Sequence, residues 1–338
     1  MLAARLHSPG EALHLEEVPI PEPTGTEVRV RVAGCGVCRT DLHIVDGSQP
    51  RVEMPLTLGH EVAGWIDAVG PDAARPLRKG RLRTGDAVVV FGGWGCGQCA
   101  ECLAGEEQRC PTGRSPGFQL DGGYAEFLLV PDPRDLVPLG DLDPIEAAPL
   151  ADAGLTPFRA VRRASPWLRP GARVLVTGLG ALGQFGLQYL RSSNAGSKLQ
   201  IAVRETEPTR LELATALGAD VALLADEALP WPADAIFDFV GSDESLRGAV
   251  HDLSPNGLLL VIGEGGGRFE MGIARIPVEA WVSSIAWGAL DELHEVVRRA
   301  RARKMRWSVE RMPLTEVEEA HRRLRAGEVE GRIVLVPG

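Results

Sequence analysis

Four cysteines in one short loop carry the strongest chemical signal in this sequence. The segment CGQCAECLAGEEQRC has the spacing C-x2-C-x2-C-x7-C, and its cysteines are Cys96, Cys99, Cys102 and Cys110. Four thiolates this close together can surround one tetrahedral Zn²⁺ at about 2.3 Å each, which leaves no position for water. Two local disulfides or an iron–sulfur cluster are the alternatives, although the C-x3-C step of bacterial ferredoxins is missing. The spacing favours a structural zinc site.

A cysteine and a histidine on two further segments could form half of a second metal site. Cys38 lies in GCGVCRTDLH and His60 lies in TLGHEVAG, and each follows a strand-like run and a glycine. Glycines let the backbone approach closely, so both side chains can be aimed inward. From the spacing alone, Cys35 could be a core residue and His60 a buried, hydrogen-bonded histidine. These two segments suggest a second metal but do not establish it.

A glycine fingerprint indicates a dinucleotide site. VLVTGLGALGQFG contains Gly178, Gly180 and Gly183 as G-x-G-x-x-G, with Ala181 and Leu182 between the last two. The motif directly follows a strand-like run and opens a helical pattern, which is the context that makes it informative. Its glycines permit a tight turn and the close approach of a pyrophosphate to the helix N-terminus. The alternative is a tightly packed strand–helix turn without a ligand.

The end of the next strand bears on the choice of coenzyme. In this type of fold an acidic residue there binds the ribose 2′-hydroxyl of NAD, whereas an arginine accommodates the 2′-phosphate of NADP. The segment reads QIAVRETEP, with Arg204 at the expected position and Glu205 beside it. The strand could be offset by a residue or two, and Arg204 could be a solvated charge. The interpretation leans to NADP.

These residues need two kinds of scaffold, and the chain contains both. Up to about Pro131 it shows short strands between Gly, Pro and Asp turns, an all-β and partly barrel-like pattern: EVRVRVAGCGV, EVAGWIDAVG, DAVVVFGG and AEFLLVP. After about Pro170, strands such as ARVLVTG, KLQIAV, AIFDFVG and GLLLVIG alternate with helical stretches. This alternation predicts a parallel, doubly wound sheet.

Bulk composition narrows the class of protein. A chain of 338 residues exceeds the size at which one core usually suffices, so two domains are expected. The formal net charge of -10 argues against nucleic acid and anionic membranes. No stretch approaches the roughly 20 apolar residues of a membrane span, and the N-terminal segment has no apolar signal-peptide core. A cytoplasmic location is expected, where thiols stay reduced and clustered cysteines favour metal.

Together, GHEVAGWIDAVG, CGVCRTDLH, the four-cysteine loop and the glycine fingerprint resemble the zinc-dependent alcohol dehydrogenases of the medium-chain dehydrogenase/reductase superfamily. The likeness covers almost the whole chain. It implies an α/β protein with a GroES-like, β-rich catalytic domain at 1–152 and 289–338 and a Rossmann coenzyme domain at 153–288. It also implies an NAD(P)(H)-dependent enzyme that interconverts alcohols with aldehydes or ketones by hydride transfer, using two zinc ions per chain.

The resemblance assigns roles around the second metal. Cys38 and His60 match the first two ligands of the family's catalytic zinc. Asp41 matches a carboxylate that orients the ligand histidine, as such sites generally need. Glu61 matches a nearby acid that approaches the metal during ligand exchange.

The third ligand is where this chain departs from the family. The usual segment resembles APLLCAGLT, whereas here it reads APLADAGLT, with Asp152 in place of the cysteine. Some bacterial members acting on secondary alcohols resemble this chain in having Asp there. A carboxylate oxygen binds zinc at about 2.0–2.2 Å, and the charge balance with Zn²⁺ is unchanged. Alternatively, Asp152 only caps a helix that starts near Gly154.

Four more residues match family positions around the reaction. Thr40 and His43 resemble a proton relay from the substrate hydroxyl through the ribose to a histidine near solvent, a task that suits the near-neutral pKa of histidine. Arg39 resembles a pyrophosphate contact, and Arg332 resembles an arginine that reaches the coenzyme. The alternatives are a turn threonine, a surface histidine and ordinary surface arginines.

The substrate pocket is less defined by the sequence. By resemblance, its candidates are Trp94, Phe118 and Trp287, although aromatic residues also serve as core or subunit interface. Gly92 leaves room where relatives have a bulky ring, which hints at secondary or bulky alcohols. The segment WVSSIAWG resembles the strand through which relatives pair, so a homodimer or homotetramer is expected.

Three other functions remain open from the sequence. A polyol dehydrogenase would use the same chemistry. A zinc-independent quinone or enoyl reductase would lack the ligands in CGVC and LGHE. A non-enzymatic zinc- and nucleotide-binding protein would use the fold without the reaction. The expected partner is a small alcohol or carbonyl compound, with no nucleic acid and no membrane.

Overall fold

The chain leaves its first unit once and returns to it near the C-terminus. A computed structural model describes residues 1–49, 52–79 and 82–338. Met1–Leu155 and Gly288–Gly338 form the first unit, and Thr156–Trp287 form the second.

The described strands and helices follow the patterns expected from the sequence and add several short elements. The strands are β1 (Leu2–Leu6), β2 (His14–Glu17), β3 (Val28–Gly36), β4 (Leu56–Thr57), β5 (Glu61–Val69), β6 (Ala87–Val90), β7 (Phe127–Val130), β8 (Leu136–Pro138), β9 (Arg173–Thr177), β10 (Gln200–Glu205), β11 (Val221–Leu224), β12 (Ala233–Asp238), β13 (Leu253–Val261), β14 (Trp281–Ser284), β15 (Val309–Pro313) and β16 (Arg332–Val336). The α-helices are α1 (Arg39–Val45), α2 (Ala74–Lys79), α3 (Ala100–Leu103), α4 (Pro144–Ala147), α5 (Leu155–Arg163), α6 (Ala181–Arg191), α7 (Thr209–Ala216), α8 (Asp243–Asp252), α9 (Leu290–Arg301) and α10 (Val317–Arg325).

The first unit is built on β-sheets. One sheet has the order β15-β16-β3-β5-β6-β8, with β7 also paired to β3, and a smaller sheet has the order β2-β1-β4. In β3, Val28, Val30 and Val32 are buried while Arg31 points outward and lies over the Trp65 ring at 4.3 Å. This alternation is the period-2 pattern of a strand with one core face. Beyond Val32 every residue of β3 is buried, so the strand enters the interior just before Cys38.

The second unit contains the expected doubly wound sheet. Its strands lie in the order β11-β10-β9-β12-β13-β14, and all the pairings are parallel. The chain starts at β9, moves outward to β11 and then returns to the other side of β9 at β12. This reversal is the topological switch point at which open α/β sheets bind their ligands. The predicted α/β fold, a β-rich domain with a Rossmann-type domain, is confirmed.

Within 1–49, 52–79 and 82–338, no helix is both long and apolar enough to span a bilayer.

Candidate active site

Three side chains from separate parts of the sequence meet in the first unit. Cys38 follows β3, His60 precedes β5, and Asp152 follows a 3-10 turn at Ala148–Ala151. Asp152 Oδ2 lies 3.8 Å from Cys38 Sγ and 3.7 Å from His60 Nε2, and all three ligand atoms lie within 4.8 Å of one another. Ligands around a tetrahedral zinc are about 3.5 Å apart, since each lies about 2.0–2.3 Å from the metal. The donor set and its spacing fit one zinc ion.

The pairing of β3 with β5 explains why the first two of these residues are neighbours. The strands run antiparallel, with Gly36 opposite Glu61. Cys38 lies two residues beyond Gly36, and His60 lies one residue before Glu61, so both leave the sheet at the same end. The hydrogen-bonded ladder therefore brings the cysteine and the histidine together.

A buried ion pair ties the segment of Asp152 to the same place. The Glu61 carboxylate accepts hydrogen bonds at Oε1 from Arg332 Nη2 at 2.5 Å and from the Ala153 amide at 2.9 Å. Burial raises the pKa of Glu61 to about 7, although the Arg332 guanidinium opposes this. The other oxygen, Oε2, is buried without a hydrogen bond among the described residues. Glu61 thus holds the backbone beside Asp152 and keeps one acceptor unused.

Asp41 lies behind the candidate histidine ligand. Its Oδ1 is 3.3 Å from His60 Nδ1, on the ring edge opposite the nitrogen that faces Asp152. Asp41 is fully buried, and burial by itself would raise its pKa. The charge of His60 and the hydrogen bonds that Asp41 accepts instead hold the pKa of Asp41 below its usual value. A carboxylate on the outer nitrogen of a ligand histidine fixes the tautomer that frees the inner nitrogen for metal.

Tyr124 is a contact that the sequence reasoning missed. Its hydroxyl donates to Asp41 Oδ2 at 2.9 Å, and the same oxygen accepts the Cys38 amide at 2.8 Å. The signal in the sequence is weak, because a tyrosine after two glycines in DGGYAEF is typical of many turns. Only the fold brings it within reach of a residue 83 positions earlier.

Helix α1 carries three further candidates. Thr40 Oγ1 lies 3.6 Å from Cys38 Sγ, so its hydroxyl is next to the candidate ligands. His43 is one helical turn further on, so both project from neighbouring positions of the helix, and both are half-buried. Arg39, at the first position of the helix, is exposed.

The three aromatic candidates lie in different surroundings. Phe118 packs near the candidate ligands, with its ring centroid 5.4 Å from that of His60. Trp94 is buried in the hydrophobic core of the first unit, where its indole N–H donates to the Phe91 carbonyl at 2.6 Å. Trp287 is half-buried and ends the second unit. Of these three candidates, Phe118 has a ring contact with a candidate ligand.

The four-cysteine loop closes on itself. The sulfurs of Cys96, Cys99, Cys102 and Cys110 lie within 4.8 Å of one another. The Cys99 and Cys110 sulfurs are 3.7 Å apart, well beyond the roughly 2.05 Å of a disulfide bond. Burial by itself would raise the pKa of Cys110. Hydrogen bonds with the Cys96 amide and Thr112 outweigh that effect and lower the pKa to about 6. Four convergent free sulfurs, one of them favoured as a thiolate, fit a structural zinc.

The glycine fingerprint forms the turn from β9 into α6. Gly178 precedes the turn, Gly180 caps α6, and Ala181 and Leu182 are its first residues. A Cβ on Gly183 would lie 2.0 Å from the Gly178 carbonyl oxygen, so only glycine fits there. Gly180 is exposed, and a Cβ built on it would meet no atom within 4 Å, so the helix N-terminus is open to a pyrophosphate.

The structure shows which groups the two charged residues at the end of the next strand contact. The Arg204 guanidinium donates to Asp252 Oδ2 at 2.6 Å, at the end of α8, and both side chains are mostly buried. Glu205 instead accepts the Leu179 amide of the glycine turn at 2.6 Å. Successive strand residues point to opposite faces, so an offset of one residue exchanges their roles. The Glu205 carboxylate therefore contacts the dinucleotide turn, whereas the Arg204 guanidinium pairs with Asp252.

Comparison with known proteins agrees with this arrangement. Residues 24–141 match the alcohol dehydrogenase GroES-like domain, and residues 217–335 match the zinc-binding dehydrogenase family. The chain is 34% identical to the D-arabinose 1-dehydrogenase (NADP(+)) of Saccharolobus solfataricus, over 99% of this chain and 97% of that one. It is 33% identical to an NAD-dependent alcohol dehydrogenase of Sulfurisphaera tokodaii over the full length of both. The crystal structure of the Aeropyrum pernix alcohol dehydrogenase superposes with a TM-score of 0.92 at 34% identity, covering both chains completely.

A GroES-like domain with a Rossmann-type domain and a Cys/His-containing candidate metal site defines the class of zinc-linked nicotinamide oxidoreductases. Within that class, the chain belongs to the zinc-dependent alcohol dehydrogenases of the medium-chain dehydrogenase/reductase superfamily. It is accordingly an NAD(P)-dependent enzyme that interconverts alcohols with aldehydes or ketones.

Proposed function

We propose that this enzyme oxidises secondary or bulky alcohols, and reduces the matching ketones, at a zinc held by Cys38, His60 and Asp152. The observation that carries the proposal is the convergence of these three ligand atoms within 4.8 Å, with Asp41 behind His60. Lewis-acid polarisation of the alcohol oxygen is the chemistry that zinc supplies there when bound. Cys96, Cys99, Cys102 and Cys110 are proposed to hold a second, structural zinc.

In this proposal each of the two units has its own role. The first unit is the catalytic domain, and the second unit, with the glycine fingerprint, is the coenzyme domain. Arg39 and Arg332 are our candidates for contacts with the coenzyme, and Gly178, Gly180 and Gly183 for close approach of its pyrophosphate. Glu61 supports the site through the Ala153 amide, and its second oxygen has no hydrogen-bond partner among the described residues.

Thr40 and His43 are proposed to carry the alcohol proton to solvent. Thr40 lies against the ligand sulfur, and His43 follows one helical turn later. In His43→Gln, the pH dependence of kcat is expected to shift, because the group that passes the proton on is removed. Zinc content should stay at the wild-type value. An unchanged pH profile would show that the proton leaves by another route.

The coenzyme preference is proposed to be NAD, against the lean to NADP drawn from the sequence. Glu205 is buried beside the Leu179 amide, and a carboxylate there accepts the ribose 2′-hydroxyl and repels a 2′-phosphate. The Arg204 guanidinium, by contrast, is paired with Asp252.

The ratio of kcat/KM for NAD to kcat/KM for NADP measures this preference. In Glu205→Ala we expect the ratio to fall by about 10–100-fold, because a charge-assisted hydrogen bond of about 1.5–3 kcal/mol is lost and a repulsion is relieved. Arg204→Met is the matched control at the neighbouring position, and its ratio should remain near that of the wild type. A ratio that rises in Arg204→Met, and does not fall in Glu205→Ala, would restore the original NADP interpretation.

A panel of alcohols and carbonyl compounds, run with both coenzymes, tests the proposed function. Activity on secondary alcohols above that on primary ones of equal length is expected, and Phe118, Trp94, Trp287 and the space at Gly92 are the candidate pocket features. Sugars and polyols belong in the panel, because a relative 34% identical over almost the whole chain is a D-arabinose dehydrogenase. Activity with none of these compounds would favour a non-enzymatic role, and activity that survives zinc removal would favour a quinone or enoyl reductase.

Self-association is proposed to use β14. This strand lies at the edge of the six-stranded sheet, and Trp281 is 59% exposed on it. An unpaired edge of this kind is a template for pairing with a second copy. Sedimentation equilibrium of the whole chain distinguishes a homodimer or homotetramer from a monomer.

A further inference from the structure

The buried carboxylate of Asp41 contacts two further groups besides His60, the candidate ligand that it orients. Its Oδ1 faces His60, and its Oδ2 accepts two hydrogen bonds, from the Cys38 amide and from the Tyr124 hydroxyl. A carboxylate attached to Cβ rotates over a broad, roughly two-fold range unless its oxygens are engaged. Two donors on one oxygen therefore leave the other oxygen directed at the histidine.

The direction of the Tyr124 hydrogen bond is fixed by its partner. An ionised carboxylate can only accept, so the tyrosine hydroxyl must donate. Asp41 is 0% exposed, and the Tyr124 side chain is also fully buried. Water cannot easily replace the hydroxyl at such a place, and a buried acceptor that loses its donor is costly.

The backbone holds Tyr124 beside the ligand segment. The amides of Gly122, Gly123 and Tyr124 donate to the carbonyls of Thr57, Gly59 and Leu58 at 2.8, 2.8 and 2.9 Å. The residues 57–59 lead directly into His60. The tyrosine and the histidine are therefore carried on two hydrogen-bonded segments, and their relative position is set by main-chain contacts.

The ring of Tyr124 packs closely against the backbone at Gly59. Gly59 has φ +95°, and a Cβ there would lie 2.4 Å from Tyr124 Cδ1. Glycine at this position thus satisfies a left-handed backbone and the close approach of the ring at once. Because the ring packs independently of its hydroxyl, phenylalanine can replace tyrosine with only the donor removed.

We propose that Tyr124 is a positioning residue for the catalytic zinc, acting through Asp41 on the ligand histidine. The chain of contacts runs from the Tyr124 hydroxyl to Asp41 Oδ2, and from Asp41 Oδ1 to His60 Nδ1. This inference rests on the proposed zinc site at Cys38, His60 and Asp152. It adds Tyr124 to that site as a residue behind Asp41, which touches neither substrate nor coenzyme in the reaction.

The first test measures zinc affinity in Tyr124→Phe. Loss of a residue that orients a ligand typically costs about 10–100-fold in metal affinity. We expect the catalytic site of Tyr124→Phe to lose its zinc at a concentration of chromophoric chelator at least about tenfold lower than the wild type requires. The four-cysteine site should keep its ion. In the cobalt-substituted enzyme, the visible absorption bands of the catalytic site should shift, because the ring of His60 is less firmly oriented.

A matched control exists within the same chain. Tyr189 is the other of the two tyrosines, it is also buried, and it belongs to the second unit. Tyr189→Phe makes the identical chemical change and should leave zinc affinity and the cobalt spectrum at wild-type values. Equal effects in both variants would overturn the proposal, since they would reflect a general loss of stability.

A double-mutant cycle tests the route through Asp41. Asp41→Ala should itself weaken the catalytic zinc, and Tyr124→Phe should add nothing in that background, because the two groups act in series. If Tyr124→Phe has the wild-type zinc affinity, or weakens zinc equally in the Asp41→Ala background, the role given to Tyr124 is wrong. If Asp41→Ala itself leaves zinc affinity unchanged, the arrangement of the proposed zinc site is wrong, and the inference falls with it.

Discussion

Replacing Asp152 with alanine is expected to lower the zinc content from two ions per chain to about one and to reduce kcat/KM for alcohols by about 1000-fold. Asp152 supplies the carboxylate that faces both Cys38 Sγ and His60 Nε2, so its removal leaves two protein ligands. A catalytic zinc usually has three protein ligands and an open position. Loss of several kcal/mol of charge stabilisation in the transition state corresponds to about three powers of ten in rate.

Elemental analysis of the purified protein, together with steady-state kinetics, measures both effects. Asp152→Cys is the matched control, since it restores a charged zinc ligand of the kind common in the family. That variant should keep two zinc ions and substantial activity. If Asp152→Ala retains two zinc ions, the assignment of Asp152 as a ligand is wrong, and a helix-capping role would be favoured instead.

Replacing Arg332 with methionine is expected to destabilise the first unit by about 3–5 kcal/mol, the usual cost of leaving one charge of a buried pair without its partner. The side chain of Glu61 is 0% exposed and that of Arg332 is 7% exposed, so little solvent can compensate. For a folding unit of this size, the loss corresponds to a melting temperature roughly 6–20 °C lower. The Glu61 carboxylate also holds the Ala153 amide, so the segment of Asp152 should loosen with it.

Differential scanning calorimetry of the zinc-loaded protein measures this change. Arg322→Met is the matched control, because Arg322 pairs with Glu319 on the surface, where both side chains are about half exposed. Such pairs contribute about 0–1 kcal/mol, so the control should melt close to the wild type. Adding Glu61→Gln to Arg332→Met should recover part of the loss, since the stranded charge is removed. Equal melting temperatures for Arg332→Met and Arg322→Met would show that the buried pair adds no stability.

The sequence patterns that predicted structure correctly are local. The four cysteines lie within 15 residues, and the glycine fingerprint lies within a single strand–turn–helix, so neighbouring residues decide both. The alternation of strands and helices after Pro170 gives the doubly wound sheet for the same reason. The resemblance to the family then added a prediction that spacing alone left open, namely that Cys38, His60 and Asp152 form one zinc site, and their ligand atoms do lie within 4.8 Å of one another.

Other features were decided only by tertiary structure. Glu61 and Arg332 are 271 residues apart in the chain, and Tyr124 and Asp41 are 83 residues apart. No local sequence pattern predicts either pairing. Their partners are chosen by which segments the sheet brings side by side.

The strand end at Arg204 and Glu205 shows the difference most clearly. The sequence placed a positive and a negative residue next to the dinucleotide turn, and these favour opposite coenzymes. Which one faces the turn depends on strand register, since a shift of one residue moves every side chain to the other face of the sheet. The structure sets that register through pairing with β9 and β11, turning Arg204 to Asp252 and Glu205 to the Leu179 amide. By itself, the sequence determined the class of protein and the chemical groups that it carries, because these depend on residue type and short spacing. The contacts that each group makes were decided by the tertiary structure, because they depend on segments far apart in the chain.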